Sequence, residues 1–126
     1  MKKLVTLLCL FFSQSAFTQC YIAEDFKGMA ALSNDNYSLG KDGFTGKTFQ
    51  IIINGSESRI SSNGLKCKQI SVSTVLCLDS QNGKSVVETW SVDLDTSKAL
   101  YTKSISGYGK YDGVKAFVGR ISGTCK

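Results

Sequence analysis

Histidine and proline are both absent from the 126-residue chain, and sustained apolar runs are absent everywhere except between Leu4 and Phe12. Without histidine the chain lacks the usual general base near neutral pH, the Ser-His and Cys-His nucleophile pairs, and the commonest zinc and copper ligand. Without proline, no position is barred from a strand ladder for want of an amide proton. Charge is also sparse, with 15 Lys and Arg against 10 Asp and Glu, a balance of +5. Nucleic-acid binders concentrate far more positive charge on one face, so no nucleic-acid partner is expected. No cofactor is implied by any motif.

What is present begins with an address. Lys2 and Lys3 precede the apolar run Leu4 to Phe12, small polar residues follow, and Ala16 and Thr18 place a cleavage site before Gln19, with Ser13 and Ser15 as the alternative. This is the layout of a bacterial secretory signal peptide over residues 1–18, and its apolar run is too short for a stop-transfer helix. The rest, 19–126, is long enough for one domain and too short for two. It is expected to be periplasmic or secreted, with no transmembrane segment once the leader is gone, and loss of Lys2 and Lys3 takes its net charge from +5 to about +3.

Cys9 leaves with the leader, so of five cysteines Cys20, Cys67, Cys77 and Cys125 remain. An even number in an oxidising compartment points to disulfides, and an all-thiolate metal site is the minority alternative. Lipidation at Cys20 would need a small residue where Gln19 stands and would leave an odd thiol. Four cysteines allow three pairings. Cys20 and Cys125 sit at the two ends, which suggests a clamp of one on the other, with Cys67 to Cys77 as a local staple. A clamp closing about a hundred residues is worth about 4.7 kcal/mol in the chain-entropy model, a large share of the 5–10 kcal/mol expected of such a domain.

The local pattern is that of β-structure. Asp42-Gly43, Asn54-Gly55, Asn63-Gly64, Asn82-Gly83 and Asp112-Gly113 each suit a tight hairpin turn, because Gly, Asn and Asp tolerate positive φ. Asp95-Thr96-Ser97 is a sixth candidate. Between them Phe49 to Ile53, Val86 to Leu94 and Lys115 to Ile121 are rich in β-branched and aromatic residues. Val86, Trp90, Val92 and Leu94 share one face with period two, with only Glu88 out of step, and Phe117, Ile121 and Cys125 share another. The stretch Leu65 to Ser80 is too long for one strand, and a turn near Ser71 to Ser73 would let Cys67 face Cys77. These features predict an all-β antiparallel meander of seven or eight short strands, a small barrel or sandwich, ordered from about Asn36. One short N-terminal helix is the remaining candidate at Ala23 to Leu32, where Phe26, Met29, Ala30 and Leu32 could form a stripe.

Two features bear on function. The glycine-flanked loop Ser106 to Gly113 holds Tyr108, Lys110 and Tyr111, aromatic faces and a cation on a mobile backbone, suited to protein or sugar contacts. The competing reading makes its tyrosines lids over the barrel mouth. Glu88, Asp93 and Asp95 lie on or beside one hairpin, and two carboxyls about 5–9 Å apart in a cleft could cleave a glycan. Burial of Glu88 would penalise its charged form. Otherwise Glu88 reaches solvent near a strand end or pairs with a lysine.

Cys20, the Asp25-Phe26-Lys27-Gly28 stretch, Glu88-Thr89-Trp90, Tyr101-Thr102-Lys103, Phe117-Val118-Gly119 and the closing Gly123-Thr124-Cys125 together resemble a group of small exported four-cysteine bacterial proteins without established function. A looser, architectural likeness is to periplasmic lysozyme inhibitors, with no inhibitor motif to carry over. The resulting expectation is a non-catalytic exported β domain that binds a protein or an envelope glycan. The alternatives are a carboxylate-dependent cell-wall glycan hydrolase and an assembly subunit exchanging an edge strand, for which Phe49 to Ile53 is the nearest segment.

Overall fold

The computed structural model describes residues 18–125, so all of the proposed leader except Thr18, including Cys9, lies outside the described residues. Eight strands follow one another: β1 (Gln19–Leu32), β2 (Leu39–Ile53), β3 (Arg59–Ile60), β4 (Lys66–Ser71), β5 (Thr74–Gln81), β6 (Lys84–Asp93), β7 (Lys98–Ser106) and β8 (Gly113–Thr124). They form one antiparallel sheet in the order β3-β2-β1-β8-β7-β6-β5-β4. Chain neighbours therefore pair everywhere except between β3 and β4, while the first strand pairs with the last. The sheet is a nearly closed barrel with one seam. Across that seam the Gly55 amide donates to the side-chain oxygen of Gln69 on β4 at 2.9 Å.

The all-β expectation holds, and its helical option does not. Ala23 to Leu32 lies within β1, and the β-structure begins at Gln19 rather than near Asn36. A bulge breaks the alternation of this strand. Asp25 takes φ 57°, and the pairing shifts between Glu24 and Phe26. One extra residue reverses the side-chain parity, so Tyr21 and Ala23 point inward before it and Phe26 and Ala30 after it. The inward residues across the bulge are therefore not spaced by two throughout, and the expected helical stripe splits, with Phe26 and Ala30 buried and Met29 41% exposed. Opposite the bulge, Thr45, Gly46 and Lys47 intervene between the partners Phe44 and Thr48, and Gly46 takes φ +67°.

The Asp42-Gly43 pair is not a turn either, because it lies inside β2, a strand of 15 residues. Gly43 is needed there for closeness: a Cβ would overlap the Phe26 carbonyl of β1. Of the other four Asn-Gly and Asp-Gly pairs three fall within connections and Asp112-Gly113 straddles the start of β8; Asn82-Gly83 forms a two-residue hairpin turn with φ 51° and 75°. A turn at Val72-Ser73 joins β4 to β5 as the length of that stretch demanded.

Both disulfides pair as expected. Cys67 and Cys77 are cross-strand partners with Cα atoms 4.0 Å apart, and Cys20 and Cys125 join the ends of β1 and β8 at 5.2 Å. Inside the barrel Phe26 stands at the centre of an aromatic cluster. Its ring meets Phe44, Phe49, Trp90 and Tyr101 edge-on at centroid distances of 5.6–6.3 Å. The space comes from Gly119 on β8, where a Cβ would come within 2.8 Å of that ring. Trp90 and Val92 are buried as the alternation of β6 predicted; Leu94 is not, because the strand ends at Asp93 and the turn carries Leu94 out, 60% exposed.

Candidate functional site

Glu88 sits mid-strand on β6 with its side chain inside the barrel, 5% exposed. The expectation that it reaches solvent near a strand end is corrected; the expected lysine partner is there. One carboxylate oxygen accepts from Asn63 Nδ2 at 2.6 Å and from Trp90 Nε1 at 3.2 Å. The other accepts from the Tyr101 hydroxyl at 3.1 Å and pairs with Lys103 Nζ at 3.2 Å. A buried charge is tolerable only with such a set of partners. The Asn63 side-chain oxygen in turn accepts from the Leu65 amide at 2.9 Å, so Glu88 anchors the β3–β4 connection beside the seam. Burial of the phenol, and then the nearby Glu88 charge, raise Tyr101 well above its ordinary value of 10.0.

A second ion pair lies further along the interior. Lys103 and Lys115 are direct partners on β7 and β8, and Lys115 Nζ reaches Asp42 of β2 at 3.2 Å. Between those strands runs β1, whose residues opposite Asp42 and Lys115 are Gly28 and Ala30, small enough for the pair to meet over them. The Gly43 amide, with Lys115, holds Asp42 below the ordinary 3.8 against the opposing effect of partial burial. Lys103 and Lys115 share parity with Tyr101 and Phe117, and that alternation was the available sign that both lysines face inward.

Tyr108, Lys110 and Tyr111 lie together in the β7–β8 connection, where Gly109–Tyr111 is a single 3₁₀ turn. The Asp112 carboxylate fixes the loop by accepting from the amides of Gly107 at 3.0 Å and Tyr108 at 2.7 Å. Its backbone carbonyl accepts from the Ser33 amide at 2.8 Å, tying the loop to the β1–β2 connection. That neighbour adds two residues the sequence reading missed. Tyr37 is 56% exposed and Leu39 71%, and in the loop tied to them Tyr111 is 63% exposed. Tyr111 is thus no lid on the core, whereas Tyr108 is half-buried. Lysines lie over both rings, Lys84 Nζ 5.4 Å from the Tyr108 centroid and Lys110 Nζ 5.2 Å from that of Tyr111.

The hairpin does not gather its three carboxylates. Glu88 faces the interior, while Asp93 lies five residues on, roughly 16 Å along an extended strand, and Asp95 follows in the β6–β7 turn. Phe49 to Ile53, the segment weighed as an exchangeable strand, is paired along its length with Gln19 to Ala23. Among the described residues no group of three or more His, Cys, Asp and Glu is placed to hold a metal ion, and no helix is long and apolar enough to cross a membrane. The two disulfides fit a compartment outside the cytosol. No protein-family model, curated protein or solved structure matches the chain.

Proposed function

We propose that this is a non-catalytic β domain, exported to the periplasm or beyond, that binds a protein partner through Tyr37, Leu39, Tyr108, Lys110 and Tyr111. The observation that carries the reading is the pairing of two loops by the Ser33 to Asp112 hydrogen bond, which presents three large side chains outward, each more than half exposed. Exposed aromatic and aliphatic groups with lysines at their rim are the composition of a protein interface. A protein is favoured over a glycan because lysines already lie over the Tyr108 and Tyr111 rings, leaving a single face of each for a sugar to stack on. The disulfides and the leader-like start support export. Glu88 is spoken for by four donors, which supports a structural carboxylate rather than a general acid with a proton to hand over.

The test is capture from envelope extract on the immobilised protein, with the Tyr37→Ala, Tyr111→Ala double variant alongside and circular dichroism to verify its fold. Expected is a protease-sensitive partner that the folded variant no longer retains. Retention of purified cell-wall glycan instead would transfer the site to a sugar ligand, and glycan cleavage lost in Glu88→Gln would replace the proposal with the hydrolase.

A further inference from the structure

The opposite end of the barrel, where Cys20 and Cys125 are joined, holds a cleft of about 420 Å³. That volume is typical of small-molecule sites. Tyr21 and Ile53 form its floor, and Val72 and Leu94, at the tips of the β4–β5 and β6–β7 turns, form its walls. The floor residues are buried in the core, whereas Val72 is 77% exposed and Leu94 60%. The turns are held to the barrel by backbone bonds, Val92 amide to Ser73 carbonyl and Ile121 amide to Ser97 carbonyl, both 2.9 Å. Asp93 and Asp95 also line it, and among the described residues neither takes part in a salt bridge. The Asp95 amide donates to the Asp93 carboxylate at 3.1 Å, which keeps the two acids adjacent. The chain is basic, +5 over the full sequence and about +3 over 19–126, so an acid pair beside an apolar hollow stands against the prevailing charge.

We infer that this cleft binds a small amphipathic amine, its apolar body between Val72 and Leu94 over Tyr21 and Ile53, and its ammonium group on Asp93 and Asp95. Charge complementarity selects the cation, since an ammonium donates charge-assisted hydrogen bonds to both carboxylates. Gln19, Ser73 and Ser91 add neutral polar groups to the lining but no cation, so nothing there answers an anionic group and the rest of the ligand must carry none. The site is independent of the tyrosine end and can fail without affecting that proposal.

The experiment is titration of the disulfide-bonded, 15N-labelled protein with phenethylamine, with 2-phenylethanol and 3-phenylpropanoate as neutral and anionic counterparts. Amide shifts at Val72, Leu94 and Asp95 are expected to respond to the amine, with those at Tyr111 as an internal reference. The amine should bind about tenfold more tightly than the alcohol, the effect of one good charge-assisted contact, and the anion more weakly than either. Asp93→Asn with Asp95→Asn should bring the amine down to the affinity of the alcohol while the remaining spectrum shows the fold intact. Equal binding of amine and alcohol, shifts centred elsewhere, no binding of the amine, or binding only of a basic hydrophobic peptide would each overturn the inference.

Discussion

Replacing Glu88 with Gln tests whether the interior carboxylate holds the barrel together. The substitution preserves volume, keeps one acceptor oxygen and puts an amide donor where the other stood. If the oxygen stays with Asn63 and Trp90, the new donor faces the Tyr101 hydroxyl and the Lys103 ammonium, both donors now. Tyr101 can turn to accept, and Lys103, 27% exposed, can turn to water. About two charge-assisted bonds are lost and partly replaced, which amounts to about 2–4 kcal/mol. Glu88→Ala also strips Asn63 and Trp90 of their acceptor and should cost about 3–5 kcal/mol. Urea unfolding followed by the fluorescence of Trp90 is the assay. With a slope of about 1–2 kcal/mol/M for a domain this size, Glu88→Gln should move the midpoint down by about 1–4 M. In a cycle with Lys103→Met the double variant should lose less than the two single losses together, because each leaves the other partner stranded. A Glu88→Gln midpoint within about 0.3 M of the parent, at unchanged slope, would refute this account.

Three further outcomes are expected. Trp90→Ala should cost about 3–5 kcal/mol, since the indole is 2% exposed within the aromatic cluster; thermal melting checks it, and a shift of only a few degrees would place the indole outside the core. Gly28→Ala should yield little folded protein even though alanine suits a strand better, because its Cβ would overlap the Ala116 carbonyl of β8; soluble yield and near-UV dichroism read this. Tyr101 is raised in the folded state above the 10.0 of the open chain, so the native state keeps a proton that the unfolded state releases. Stability is unaffected below pH 10 and falls as pH rises beyond it, and alkaline titration at 295 nm should lose its latest component in Tyr101→Phe.

The legible parts of the chain were those where period two ran unbroken. β6 has no bulge, and Val86, Trp90 and Val92 alternate cleanly. β1 was unreadable because the extra residue at Asp25 flips its faces midway, a reversal created by pairing with β2 and β8 rather than by its own residues. Asp42-Gly43 carries the composition of a turn for a different physical reason, the close approach of β1. The cysteine pairing was readable because strand length and the positions of the ends constrained it. Of the candidate site, Tyr108, Lys110 and Tyr111 were visible as a glycine-flanked cluster, but Tyr37 and Leu39 join them only through the Ser33 to Asp112 bond, a contact between distant loops.

Pairing the first strand with the last sets a clock on assembly. A chain delivered from its N-terminus presents β1 first among the strands and β8 last. Until Gly113 to Thr124 has emerged, one full edge of β1 has only solvent beside it, and the aromatic interior stays open along that side. Half-made barrels of this kind are templates for pairing with one another, and the Cys20–Cys125 bridge cannot close to rescue them because its second sulfur is still absent. Shortening the chain by its last dozen residues would therefore remove a neighbour of β1 rather than a loose end, and would hold every molecule at its most adhesive stage.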